Sequence, residues 1–346
     1  MRKLIIVILL LFSVSLPVMA MEFTAPTAPG EAQEYMPKES STFSEDLWYI
    51  IKTALNKLHP DFSEALRSCV SLTAVVILSS MLQTFSGAAK RIADLVCTIT
   101  ISLILIQPTN SLIQLGIQTV NELSEYGKLL IPVMTAAMAA GGGVTTSAAL
   151  YTATIAFNTV LTAGITKLII PMIYIYTVLC IATSAIGENV LKQTRDFIKW
   201  LMTWTLKISI YLFTGYLSIT GVISGTADAS AIKAAKLAIN GFVPVVGNII
   251  SDASETILVS AGVMKSSVGI YGLLAILATW ISPFLKIGTQ YILLKITSCA
   301  CSVFGTKDTV RLIEDFSGIM GFILAITGTV CLLLLISTVC FMKGVA

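Results

Sequence analysis

Charge is what this chain has least of. Only 12% of its 346 residues are charged, against roughly 25% in soluble domains, while 55% are hydrophobic. The mean hydropathy is +0.88. A water-facing surface cannot be made from that inventory, so the chain reads as a membrane protein. The net charge of +3 supplies neither the basic patch that nucleic acid needs nor an acidic tail, so no nucleic-acid partner is expected. Histidine is missing except for His59, beside Pro60. That excludes a zinc enzyme built from histidine pairs and leaves a Ser-His-Asp triad without a setting. No G-x-x-x-x-G-K-[ST] segment occurs; Gly305-Thr306-Lys307 comes nearest and lacks the earlier glycine, so ATP has no Walker A loop here. The seven cysteines follow no metal or disulfide spacing. Five of them (Cys69, Cys97, Cys180, Cys331 and Cys340) sit in apolar runs as small hydrophobes, and Cys299 and Cys301 fall on different faces of a helix. These absences predict a protein that is not an enzyme and carries no cofactor or metal.

What is present is a series of apolar runs behind a polar start. Residues 1–20 have the three parts of a secretory signal: Arg2 and Lys3, the apolar run Leu4 to Val14, and the small-residue site Val18-Met19-Ala20. Cleavage there puts the mature N-terminus outside the cytoplasm. Residues 21–66 follow as an extracytoplasmic region. Its first part, 21–41, is polar, aperiodic and expected to be flexible. Thr42 to Glu45 then has the capping-box pattern, and Leu47, Ile50, Ile51, Ala54 and Leu58 recur at helical spacing up to Pro60. Residues 67–127 read as a first transmembrane hairpin, with spans at 68–85 and 92–107 around the basic loop Gly87 to Arg91, then an interfacial amphipathic helix at 109–127.

The rest, 128–346, reads as a duplicated block. Pro132 and Pro171 are 39 residues apart, as are Pro244 and Pro283. Arg195-Asp196-Phe197 is echoed by Glu314-Asp315-Phe316. Two tandem copies, about 128–223 and 240–342, are the expected result: an all-α polytopic bundle with eight to ten crossings. Each copy opens with a run too short to cross a bilayer (129–143 and 242–251), expected as a half-helix or one arm of a tight hairpin. Spans follow at 146–166, 168–186 and 200–223, and at 257–281, 284–304 and 317–342. Basic residues at Lys192, Arg195, Lys199, Lys307 and Arg311 favour copies in the same orientation, with both charged loops in the cytoplasm.

The candidate pore or hinge positions are the breakers Pro132, Gly141, Gly142, Gly143, Pro171, Pro244, Gly247 and Pro283, with the carboxylates Asp252 and Glu255 three residues apart on one helical face. Two readings stay open for them. The carboxylates either line a polar pathway or rest at an interface, and the prolines either hinge or merely kink packed helices.

One string is more specific than the rest. Ala234-Ala235-Lys236, Gly241-Phe242-Val243-Pro244-Val245-Val246-Gly247 and Lys265-Ser266-Ser267-Val268-Gly269, with Ile106-Gln107-Pro108 and Ile131-Pro132-Val133 upstream, resemble the stage III sporulation protein AE family. The resemblance implies a multi-pass protein of the mother-cell membrane around the engulfed forespore. It implies a place in a secretion-like channel needed for endospore formation, as export platform or conduit component. Implied partners are other membrane and ring-forming subunits, an ATPase on the cytoplasmic side and a forespore-side protein. Two other readings come from the residues alone: a free-standing secondary transporter of small solutes, and a scaffold that anchors partners through residues 21–60.

Overall fold

Thr42 starts the first helix as its spacing predicts. Its backbone N–H donates to the Glu45 carboxylate at 3.3 Å, closing the capping box at the head of α1 (Phe43–Lys57). Ile50 and Ala54 are buried, and α1 packs on a later membrane helix rather than lying alone on the bilayer surface. The computed structural model describes residues 25–37, 42–82, 88–140, 144–186, 189–219 and 267–343. The expected signal peptide therefore lies outside the described residues.

After α1 the chain is a succession of long rods: α2 (His59–Leu82), α3 (Ala88–Ala140), α4 (Val144–Gly164), α5 (Ile170–Ile186), α6 (Asn189–Ile219), α7 (Ser267–Cys301) and α8 (Lys307–Lys343). No strand occurs among the described residues. Among the described residues, five stretches are long and apolar enough to cross a membrane: His59–Met81, Ile92–Ala137, Leu150–Ile186, Val268–Cys301 and Lys307–Met342. The fold is an all-α polytopic membrane bundle.

The expected breaks are where sequence and structure part. α3 is one helix of 53 residues, with Pro108 and Pro132 in its interior. It absorbs the span at 92–107, the supposed interfacial helix at 109–127 and the described part, 129–140, of the short run at 129–143. The half-helix expected at 129–143 is thus the last part of a rod about 80 Å long at 1.5 Å per residue. The amphipathic pattern of 109–127 was real, but its apolar face (Ile113, Val120, Leu123) is buried in the bundle instead of resting on lipid. Pro283 likewise lies inside α7, joining what reads as two spans. Between α4 and α5 the chain does not turn. A π-helical segment, Ile165–Ile169, links them, and the Ile170 N–H reaches back to the Ile165 carbonyl. Widening the helix by one residue just before Pro171 makes room for a ring that regular α-helix would clash with. In hydrocarbon a helix that parted at a proline would leave carbonyls with no water to bond, so staying continuous wins. α6, expected as a span at 200–223, is two-faced: Met202, Leu206 and Phe213 are buried while Phe197, Trp200, Trp204 and Tyr211 are exposed. It is not among the five apolar stretches.

α8 forms the centre. It packs along α7 and also meets α3, α4, α5 and α6. Glycine decides how near α3 can come. A Cβ at Gly116 would overlap Ile323, and one at Gly127 would sit 2.6 Å from Leu334. Backbone-to-side-chain contact of this kind is the usual means of close helix approach in lipid. Polar ties add to it: the Asn158 amide of α4 donates to the Ser124 hydroxyl of α3 at 3.4 Å, and Thr162 donates to the same hydroxyl at 3.1 Å.

The lead-in is not the flexible tail its composition suggests. Ala28, Ala32 and Tyr35 are buried, and Gly30–Tyr35 forms a 3-10 turn. Tyr35 donates to the Ser282 hydroxyl at 3.1 Å, and Tyr126 donates to the Pro26 carbonyl at 3.3 Å. Gly30 opens the turn at φ +48, a left-handed conformation that glycine adopts without a Cβ penalty.

Candidate functional site

The candidate site builds up from two helix starts. α6 begins at Asn189 and α8 at Lys307. The end of α5 lies against the start of α8, where the Ser184 hydroxyl donates to the Asp308 carbonyl at 3.1 Å. Both hairpins, α5–α6 and α7–α8, therefore turn at the same end of the bundle. One and a half turns into α6 stands Arg195; two turns into α8 stands Asp315.

Their side chains meet. Arg195 Nη1 donates to Asp315 Oδ2 at 2.9 Å, and the two side chains are 2% and 9% exposed. Tyr176 of α5, fully buried, donates its phenolic proton to the other carboxylate oxygen at 3.2 Å. Arg195 also donates from Nε and Nη2 to Asp196 Oδ1 at 3.1 and 2.9 Å. Asp196 in turn lies 3.9 Å from Arg311 on α8. At the rim, Lys295 of α7 pairs with Glu314 of α8 at 2.7 Å. The result is a set of opposite charges on α6, α7 and α8, with the neutral Tyr176 of α5 hydrogen-bonded into it.

The physics of this cluster differs between centre and rim. Lys295 and Glu314 are about half exposed, so water screens them and their pairing adds little. Arg195 and Asp315 have left water almost completely. A buried charge without a partner costs several kcal/mol, so the pair is stable only with both members and the tyrosine hydrogen bond in place. Among the described residues no group of three or more His, Cys, Asp or Glu side chains could hold a metal. Chemically the cluster can fix the angle between α6 and α8, or release it if a charge is lost.

Sequence reasoning singled out Arg195 and Asp315 only as repeat landmarks and orienting charges. The readable signal was their setting: one arginine and one aspartate at the polar ends of otherwise apolar helices. The positions it did nominate are scattered. Pro132 is in α3, Pro171 follows the π-helical segment at the start of α5, and Pro283 is inside α7. Gly141, Gly142 and Gly143, and likewise Pro244, Gly247, Asp252 and Glu255, lie outside the described residues.

With the bundle and its ionic joint in view, comparison with known proteins is decisive. The family model for stage III sporulation protein AE matches residues 31–344, from the 3-10 turn through the last helix. The chain belongs to this family. A curated relative, the stage III sporulation protein AE of Bacillus subtilis (strain 168), is 21% identical over 276 residues, covering 79% of this chain and 69% of the relative. No solved structure matches the chain. The family match covers residues 31–344, so Arg195 and Asp315 both lie within it.

Proposed function

We propose that this protein is a non-enzymatic membrane subunit of a mother cell-to-forespore channel used during endospore formation, acting as export platform or part of the conduit. Membership of a stage III sporulation family carries the reading. The bundle supports it in one particular: α3, at about 80 Å, is far longer than the ~30 Å hydrocarbon core, so the protein projects beyond the bilayer and offers partners a rigid surface. On this reading its partners are ring-forming and other membrane subunits, a cytoplasmic ATPase that supplies energy and a protein on the forespore side. It resides in the mother-cell membrane around the forespore, with its signal peptide removed and its N-terminus outside the cytoplasm. The hairpin turns, with Lys192, Lys307 and Arg311 beside them, then face the mother-cell cytoplasm.

The test is deletion of this chain in its spore-forming host. Forespores should engulf and then stall or collapse, and a wild-type copy should restore them. Normal spores from the deletion strain would overturn the reading. Solute uptake by liposomes holding the purified protein alone would replace it with a secondary transporter.

A further inference from the structure

The depth of the α7–α8 turn in the membrane follows from the two helices beside it. α2 and α3 form a hairpin whose apolar surface is bounded by charge or polarity at both ends. At one end Glu64 and Arg67 of α2 are exposed. Ser79 and Cys97 meet across the hairpin, which puts Arg67 level with the polar run of α3 that starts near Gln107. At the other end, by the loop, come Lys90 and Arg91. Between these limits Val70, Leu78 and Met81 of α2 and Val96, Ile99 and Leu103 of α3 are exposed. From Arg91 to Gln107 α3 covers about 24 Å at 1.5 Å per residue, most of the ~30 Å hydrocarbon core. Large apolar side chains facing outward between polar limits form a lipid-facing belt, and the hairpin thereby fixes the level of the bilayer.

The α7–α8 turn sits against the middle of that belt. A Cβ on Gly305 would come within 2.9 Å of Val76, and the Cys301 thiol lies 4.0 Å from the Thr73 hydroxyl. Along α2, Val76 is about 12 Å from Ser68 and about 9 Å from Leu82. Charge is nevertheless exposed at this depth. Lys307 and Asp308 open α8 on its surface. One turn on, Arg311 is 45% exposed and lies 3.9 Å from Asp196 of α6, itself 58% exposed.

Hydrocarbon accepts neither exposed carboxylates nor the non-helical backbone of residues 302–306, which belongs at such a depth only inside protein or beside water. Lysine and arginine can snorkel to an interface, but Asp196 and Asp308 are too short for that. Tilting the bundle does not separate the two surfaces, because Gly305 and Val76 are neighbours. Lipid on the hairpin side and water on the side of the charges satisfy both. We propose that the α7–α8 turn and the start of α6 line a water-filled recess, entering the membrane from the end that carries Lys90 and Arg91. The buried ion pair is its floor: Arg195 reaches from Asp196, in the recess, to Asp315 behind it. Lys307 and Arg311 balance Asp308 and Asp196, so the recess admits small hydrophilic solutes of either charge. Among the described residues only the hairpin walls it off from lipid. The other walls fall to neighbouring subunits, so the recess rests on the channel reading.

Of the seven cysteines only Cys299 is exposed, so Cys299→Ala gives a suitable parent chain. Single cysteines are added to the full chain at Ala88 by the hairpin loop, at Ile99 on the belt and at Lys307 in the turn. Permeabilised sporulating cells are then treated with a small charged thiosulfonate or with a bulky polyethylene-glycol maleimide. Ala88→Cys should react with both. Lys307→Cys should react with the thiosulfonate and several-fold less with the bulky reagent, and Ile99→Cys should resist both until detergent is added. Bulky labelling of Lys307→Cys equal to that of Ala88→Cys would place the turn in open cytoplasm and overturn the recess. So would resistance of Lys307→Cys to both reagents, or thiosulfonate labelling of Ile99→Cys, which would take the belt out of lipid. Stalled forespores in the deletion strain together with an openly labelled turn would end the recess and leave the channel reading standing.

Discussion

Arg195 and Asp315 stand 120 residues apart in the chain and 2.9 Å apart in the bundle. Neither can be removed alone without burying the other's charge. Arg195→Ala is therefore expected to cost about 3–5 kcal/mol, the usual penalty for breaking a buried ion pair. The double variant Arg195→Met/Asp315→Leu, which removes both charges and keeps volume, should lie closer to wild type than either single change. Thermal unfolding in detergent measures this, with abundance in membranes as a second readout. Additive losses in the double variant would show that the two side chains do not depend on each other.

Gly116 and Gly164 should respond in opposite ways to alanine. At Gly116 the new methyl group meets Ile323 of α8, so Gly116→Ala should loosen α3 from α8 at a cost of about 1–3 kcal/mol. Around Gly164 no atom lies within 4 Å of the new Cβ, and alanine is the better helix former by about 1 kcal/mol. Gly164→Ala should be neutral or raise the melting temperature. Equal effects at the two sites would refute close α3–α8 contact as the reason for Gly116.

The two hairpin turns should behave as one surface. Single cysteines at Lys192 and Lys307, in a background lacking the native thiols, are expected to react alike with a membrane-impermeant reagent. Both should resist it in intact cells and both should react after permeabilisation. Reaction at one and protection of the other would contradict the shared end that the Ser184–Asp308 hydrogen bond defines.

The lead-in should hold through a definite pH window. The hydrogen bond from Lys57 holds Glu34 below its ordinary value of 4.5, and the same bond raises Lys57 above 10.5. The Glu34 contribution is present above pH 4.5 and fades as pH falls through its lowered value; the Lys57 contribution is present below pH 10.5 and fades as pH rises through its raised value. Both groups are exposed, so the effect is small. Limited proteolysis at residues 25–37 should be faster in Glu34→Gln than in wild type at pH 7, and the difference should shrink as pH falls below 4.5. A difference that persists in acid would assign the effect to something other than this pair.

What could be read from sequence was what is local. The Thr42–Glu45 cap depends on residues three apart, and it was found. That Cys299 and Cys301 lie on different faces follows from helical spacing alone; the first is exposed and the second buried. The prolines misled because their local penalty is real, yet a membrane helix keeps its hydrogen bonds by adjusting around them, as the π-helical segment before Pro171 does. The lead-in misled in the other direction: its composition is that of a free tail, but Ala28, Ala32 and Tyr35 are spaced to bury one edge. Arg195 was legible as a charge and not as a partner, since a contact spanning 120 residues leaves no local trace.

The position of α8 in the chain has a consequence for how the molecule is made. The helix that the others surround, with Ile319, Ile323, Val330 and Leu334 fully buried, leaves the ribosome after each of the described helices it packs against. α2 to α7 are made before their common centre exists, and Arg195 lacks its buried partner until Asp315 arrives. Assembly is therefore completed only once α8 has been made, and that helix acts as a checkpoint for those before it. A chain ending at Thr306 is expected to insert and then to be cleared by membrane proteases. Pulse-chase labelling would show this as a half-life well below that of the full chain; equal half-lives would mean that the earlier helices are stable without their core.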